Sequence, residues 1–268
     1  MSAGRVAESR AVDRRVLPIL APGEIVLPFT ITGMDEAIRR DTVWEPHSHA
    51  THELLWNRQG ASTATIGART WTITPVIGLW VPAGVLHWGR TPAGTWYRTA
   101  HFDVRAAVVL PDEPVAIEVT PLLSLLLDRL VEPSLETRSR DLTELLVFDL
   151  LAPSPHALLV HLPRRPLLAP IVAAHHDNPA NARSLGEWAK AIGVSARTIT
   201  RAFRAETGMG FADWQAAFRA QRAALLLARG LPVEDVAECV GYSSASAFGA
   251  AFRRVTGLSP ARFRDSRV

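Results

Sequence analysis

The feature that most narrows the possible folds is a stretch near the C-terminus that occurs twice. The first copy runs Ala189-Lys190-Ala191-Ile192-Gly193-Val194-Ser195, then through Arg201-Ala202-Phe203-Arg204 to Thr207-Gly208. The second runs Ala237-Glu238-Cys239-Val240-Gly241-Tyr242-Ser243, then through Ala251-Phe252-Arg253-Arg254 to Thr256-Gly257. Each copy predicts a helix stopped at a glycine, a tight turn, and a serine capping a second helix. A helix, a short Gly-containing turn and another helix make a helix-turn-helix. Two in tandem predict an all-α C-terminal unit.

The chain has 268 residues, 48% of them hydrophobic and 21% charged, which suits globular structure with room for two cores. No apolar run approaches the ~18 residues that a membrane helix needs. Arg5, Arg10, Arg14 and Arg15 are followed by no apolar stretch. A flexible, polar start over residues 1–20 is therefore expected rather than a secretory signal. The single cysteine, Cys239, excludes an internal disulfide and fits a cytoplasmic location. From residue 166 onward, 13 Lys and Arg stand against 8 Asp and Glu, whereas the preceding residues are mildly acidic. A basic portion behind an acidic one suits a nucleic-acid module joined to another domain.

From about Glu24 to Ala107 the pattern is strand-like. Runs such as Ser62-Thr63-Ala64-Thr65-Ile66 and Thr70-Trp71-Thr72-Ile73 alternate polar with apolar between glycines. Many short strands with Gly and Pro turns predict an antiparallel barrel or sandwich over residues 21–110. Six of the eight tryptophans fall in this half, and a barrel core accounts for most of them. Trp56, Trp80 and His101 are candidates for the wall of an effector pocket.

The chemistry of this half lies in His47-Ser48-His49-Ala50-Thr51-His52-Glu53. Residues two apart on a strand face one side, so His47, His49 and Glu53 share a face and His52 points away. Pro82-Ala83-Gly84-Val85-Leu86-His87 delivers another histidine at the start of a strand. Imidazoles and a carboxylate converging inside a barrel suit a divalent transition metal; the same residues also serve as hydrogen-bonding groups of a metal-free barrel. The spacing of His47, His49, Glu53 and Gly60, with Pro82, Gly84 and His87, resembles the two motifs of the cupin superfamily. The glycine that should precede the second motif is displaced. The resemblance implies metal ligands at His47, His49, Glu53 and His87.

Residues 121–132 are leucine-rich and helical in composition, with Pro121 at the first position. Asp141-Leu142-Thr143-Glu144 has the form of a capping box, so a second helix is expected from Asp141 to Leu151. Two helices this apolar need a second partner surface, which makes residues 111–152 a dimerisation segment in a homodimer. Prolines 153, 155, 163 and 166 predict a linker over residues 153–166.

In the basic part, Ser184-Leu185-Gly186-Glu187 is a capping box. Helix 196–206 puts Ile199, Ala202 and Phe203 on one face and leaves Arg197, Thr200, Arg201 and Arg204 off it. Arginine grips guanine O6 and N7 with two parallel hydrogen bonds, and the second helix of such a unit is the one that enters the major groove. Solvated helix faces are often Arg-rich in a chain with 28 arginines, but the turn context favours DNA. A long helix, about 212–229, connects this unit to helices 233–240 and 244–255, and Ser259-Pro260 opens a last short one.

Residues 170–265 resemble the DNA-binding domain of the AraC/XylS family of transcription regulators. The resemblance rests on Gly193-x-Ser195, Arg201-Ala202-Phe203, Arg222-Ala223-Ala224, Gly241-Tyr242-Ser243, Phe248-x-x-x-Phe252-Arg253 and Gly257-x-Ser259-Pro260. It implies two helix-turn-helix units in successive major-groove segments and an effector or metal in the barrel that sets transcription. It puts base reading at Arg197, Thr200 and Arg201. In the second unit the same positions fall on Ala245, Ser246, Gly249 and Ala250, a departure from the pattern. Arg204, Ser244, Arg253 and Arg254 complete the expected DNA contacts.

The expected fold is therefore α+β in two domains. A cupin-like antiparallel β-barrel with trailing helices precedes an all-α double helix-turn-helix domain at residues 167–268. The expected function is a DNA-binding transcription regulator, not an enzyme, with no catalytic residues. Its partners are double-stranded DNA, a small-molecule or metal effector, RNA polymerase if it activates, and a second copy of itself, with no membrane. Two alternatives stay open: a metal-dependent cupin enzyme fused to a DNA-binding domain, and a direct divalent-metal sensor.

Overall fold

The computed structural model describes residues 12–106 and 110–265. Arg5 and Arg10 lie outside the described residues. The described end of the expected flexible start is ordered: Asp13–Arg15 forms strand β1, parallel to Thr42–His47 (β3). The Arg15 guanidinium anchors it by donating to both carboxylate oxygens of Glu36 at 2.5 and 2.6 Å.

The remaining strands are β2 (Ile31–Ala37), β4 (His52–Gln59), β5 (Ser62–Ile66), β6 (Arg69–Ile73), β7 (Ile77–Val81), β8 (His87–Thr91), β9 (Trp96–Phe102), β10 (Val115–Glu118) and β11 (Leu159–His161). They form two sheets, ordered β1-β3-β8-β5-β6-β11 and β10-β7-β4-β9-β2, antiparallel apart from the β1–β3 pair. The alternation read in residues 62–66 holds, with Ser62 and Ala64 buried and Thr63 not. Strand β7 is buried at every residue, as a strand must be when both its faces are covered.

The cover on the outer face of the five-stranded sheet comes from α1 (Pro121–Leu130) and α2 (Thr137–Leu150). Arg98 of β9 pairs with Asp128 of α1, and Phe102 meets Phe148 of α2 edge-on at 5.8 Å. Thr120 caps α1 through the Leu123 N–H, with Pro121 in the first turn as expected. The expected start of α2 at Asp141 is four residues late. Its Asp141–Glu144 signature lies inside the helix, where buried Glu144 accepts a hydrogen bond from the Ile31 N–H at 3.1 Å. A carboxylate needed by an orphan strand N–H imitates a cap in sequence.

The segment expected as a linker, residues 153–166, is tied into the first domain instead. The Ser154 N–H donates to the Ala116 carbonyl at 2.7 Å, and β11 pairs with β6. The prolines interrupt periodicity, but they sit beside strand residues whose N–H groups still pair.

After a 3-10 turn at residues 166–168 come α3 (Ala169–Asp177), α4 (Leu185–Ile192), α5 (Ala196–Thr207), α6 (Phe211–Ala228), α7 (Val233–Cys239), α8 (Ala245–Thr256) and α9 (Pro260–Asp265). Gly193 ends α4 at φ +71°, a backbone conformation that favours glycine. Both halves of the Ser184–Glu187 capping box form, at 2.7 and 3.3 Å. The connecting helix α6 docks on the six-stranded sheet. Gln221 donates to the Thr70 carbonyl at 3.1 Å, and the Trp214 indole N–H donates to the His161 carbonyl at 2.8 Å. Among the described residues, no helix is long and apolar enough to cross a membrane.

Candidate metal centre and nucleic-acid interface

Strand β3 ends at His47, His49 lies in the turn that follows, and His87 opens β8. His47 and His87 face each other across the β3–β8 ladder, with ring centroids 4.3 Å apart; His49 lies 5.0 and 5.3 Å from them. One ligand atom from each of the three comes within 4.8 Å of the others. The His47 Nδ1 lies 2.7 Å from the Glu45 carbonyl and the His87 Nδ1 lies 2.9 Å from the Val85 carbonyl. Those contacts assign Nδ1–H as donor in both rings and leave Nε2 toward the cluster, as the second shell of a metal-binding histidine does.

Glu53 of β4 closes the group. It is 2% exposed, and its Oε2 lies 3.3 Å from His49 Nε2 and 3.4 Å from His87 Nε2. Neither approach has hydrogen-bond geometry, so the buried Oε2 is left without a partner. Burial opposes the charge, yet His49 and His87 hold this carboxyl well below the ordinary carboxylate range. Burial pushes the His47 pKa down to about 4, which keeps its ring neutral. Burial also disfavours charge on His87, but Glu53 outweighs it and raises that pKa. A cation entering the cluster would displace the His87 proton. Three imidazoles and a buried carboxylate oxygen short of a partner fit a first-row divalent metal.

Beside the cluster opens a cavity of about 480 Å3. His101 lines it, with its Nδ1 3.0 Å from the Thr51 hydroxyl. Trp56 and Trp80 do not line it: both are 1% exposed and lie on the other face of the five-stranded sheet. Glu53 faces the cavity, so Leu54 and Trp56 on the same strand must face away, and Trp80 pairs with Leu54. Trp80 stacks on His52 at 5.2 Å, which takes His52 away from the cluster as its position dictates. The aromatic wall is instead Trp44 stacked on Tyr97 at 5.3 Å, with the Arg15 guanidinium 4.7 Å over the Trp44 ring. Tyr97 shares parity with His101 on β9 and was findable in sequence. Trp44 was not, because a register shift between Trp44 and His47 turns it inward.

On α5, Ile199, Ala202 and Phe203 are buried, while Arg197, Arg201 and Arg204 are exposed. Ser195 caps the helix through the Thr198 N–H at 3.1 Å. Thr200 is half-buried, and its hydroxyl donates back to the Ala196 carbonyl at 3.0 Å. On α8 the cap is Ser244, through the Ala247 N–H at 3.2 Å, and not Ser243. The second turn is thus one residue longer than the first. The positions equivalent to Arg197, Thr200, Arg201 and Arg204 are Ser246, Gly249, Ala250 and Arg253. Ser246, Arg253 and Arg254 are exposed, whereas the Ser244 hydroxyl is engaged as the cap.

Residues 188–266 match a helix-turn-helix domain family. The chain is 28% identical over 222 residues to the HTH-type transcriptional regulator NimR of Escherichia coli, covering 81% of each. It is 34% identical over 123 residues to an AraC-like transcription regulator of Streptomyces antibioticus, covering 41% of each. Against the solved structure of apo ToxT from Vibrio cholerae, the TM-score is 0.38 at 8% identity, over 90% of this chain and 98% of that one. The tandem pair of capped helix-turn-helix units behind a two-sheet domain, together with these relatives, gives the chain an AraC-type helix-turn-helix domain of the kind that transcription regulators carry.

Proposed function

We propose that the occupant of the N-terminal cavity sets this regulator's output, and that the occupant includes a divalent transition metal held by His47, His49, His87 and Glu53. The observation that carries the reading is the convergence of three imidazoles, two of them fixed through Nδ1 to backbone carbonyls, on a buried carboxylate oxygen with no hydrogen-bond partner. The adjoining cavity, with its Trp44–Tyr97 wall, supplies room for a small-molecule effector next to the cation. In DNA binding, Arg197 and Arg201 read bases, and Arg204, Arg253 and Arg254 contact phosphates, which position without specifying.

Elemental analysis of untagged protein tests the metal directly. The wild type should carry about one equivalent and His47→Ala/His49→Ala none, and affinity for a mapped promoter site should change on chelation. Absence of stoichiometric metal from the wild type refutes the reading. Retained metal with a response only to organic metabolites would instead favour a small-molecule effector over a direct metal sensor.

Self-association rests on a separate observation. Leu122 and Leu125 of α1 and Leu142, Leu145 and Leu146 of α2 are all more than half exposed. Five leucines on two neighbouring helices form an apolar face suited to a two-fold partner. Light scattering should give a dimer at micromolar concentration, and Leu142→Glu/Leu145→Glu a monomer. A strictly monomeric wild type rules this out.

A further inference from the structure

A cavity of about 560 Å3 lies away from the histidine cluster, where β2 begins, β9 ends and the first turns of α2 pass over. Arg140 of α2 lines it and is only 7% exposed. One end of its guanidinium is satisfied, Nη2 donating to the Leu130 carbonyl at 3.0 Å. The other, Nη1, is buried with no hydrogen-bond partner. No ion pair among the described residues includes Arg140. The carboxylates that share the cavity are engaged or outside: Glu144 accepts from the Ile31 N–H, Asp103 is held by Arg105, and Asp141 is exposed. A buried guanidinium N–H with no acceptor is costly.

The group over the guanidinium is Phe29, its ring centroid 3.9 Å from Cζ. That ring is 48% exposed and sits in a stretch without regular structure. Behind it, Leu27 and Leu135 give the cavity an apolar side.

We propose that this cavity is a second ligand site, which takes a small monocarboxylate on an apolar body. The carboxylate pairs with Arg140 in the fork geometry that guanidinium favours, Phe29 swings aside to admit it, and the apolar body rests on Leu27 and Leu135. The site does not depend on the metal reading. It bears on α2, the helix that carries Leu142, Leu145 and Leu146.

The test uses the full chain with hexanoate as probe and 1-hexanol as its neutral counterpart, by thermal shift and calorimetry. Hexanoate, and not hexanol, should raise the melting temperature of the wild type and of His47→Ala/His49→Ala alike. Arg140→Gln should weaken hexanoate binding at least about tenfold. Should that variant not fold, Phe29→Ala, which removes a half-exposed ring, should bind hexanoate more tightly than the wild type. Equal responses to hexanoate and hexanol, a response that vanishes with the histidines, or no tightening in Phe29→Ala would each overturn the proposal.

Discussion

The two helix-turn-helix units share a scaffold and differ in what they present. Both recognition helices begin at a serine whose side chain accepts an N–H three residues on, and both end at a glycine, Gly208 and Gly257, with φ near +70°. On α5 the outward positions carry Arg197 and Arg201; on α8 the same positions carry Ser246 and Ala250. Their cores differ too. Trp188, Phe203 and Trp214 centre a cluster that belongs to the first unit, apart from Val160 on β11. Phe248, Phe252 and Phe263 of the second are continuous with the core of the β-rich domain. The two units share what the fold needs, the caps and apolar faces, and differ at the exposed residues. Ala and Gly side chains cannot hydrogen-bond a base edge, although Ala can touch a thymine methyl.

The largest effect should come from the core of the first unit. Trp214 is fully buried and its indole N–H is satisfied. Trp214→Ala should cost about 3–5 kcal/mol in urea denaturation. A loss below about 1 kcal/mol would mean that this core is not the one that holds α5. Next, Arg201→Ala should cost about 1–3 kcal/mol in affinity and relax preference at one base pair. Arg253→Ala should instead weaken binding alike on all sequences and lower the salt dependence by about one ion. If Arg253→Ala also changes base preference, the division between the units fails.

Capping sharpens the comparison at a smaller scale. Ser195→Ala and Ser244→Ala should each cost about 1 kcal/mol of stability, while Ser243→Ala should stay within about 0.5 kcal/mol. A larger cost at Ser243 would put the extra residue of the second turn elsewhere. Finally, the units should differ in acid. His175, fully buried in the first unit, gives its Nδ1–H to the Ile171 carbonyl at 2.8 Å and accepts from the Gln215 amide at 3.0 Å through Nε2. Burial first, then nearby Arg219 and His176, lowers its pKa below the ordinary 6.5. Below that value the unfolded chain takes up a proton that the folded one resists. The ring's contribution to stability is therefore complete above pH 6.5 and declines as pH falls below it. The second unit contains no histidine. Exchange protection should fall first in α3–α5 on mild acidification, and uniform loss would argue against His175 as the cause.

Much of this was legible because local rules sufficed. The Ser184–Glu187 box, the Ser195 cap and the stop at Gly193 depend on residues within one turn of each other, and all three formed as read. The histidine cluster was legible from the spacing of its residues, but not through strand alternation: His47 ends β3, His49 lies in the turn, and Glu53 comes from β4 of the other sheet. What failed depended on distant partners. Glu144 imitated a cap because the N–H it serves, on Ile31, lies more than a hundred residues away. Residue type alone points to Trp56 and Trp80 as pocket residues, whereas Glu53 on the same strand as Trp56 assigns that tryptophan to the opposite face. Trp44 was hidden by an irregularity that no alternation rule contains, and the docking of β11 by prolines that read as a tether.

The unequal reading of DNA by α5 and α8 is tested most directly by selecting bound duplexes from a randomised pool and scoring base preference at each position. Strong preference should be confined to one half of the site, with the other half showing only a weak, shape-like bias, and Arg201→Ala should erase one position of the strong half. Equal information in both halves would contradict the division of labour between the two helices.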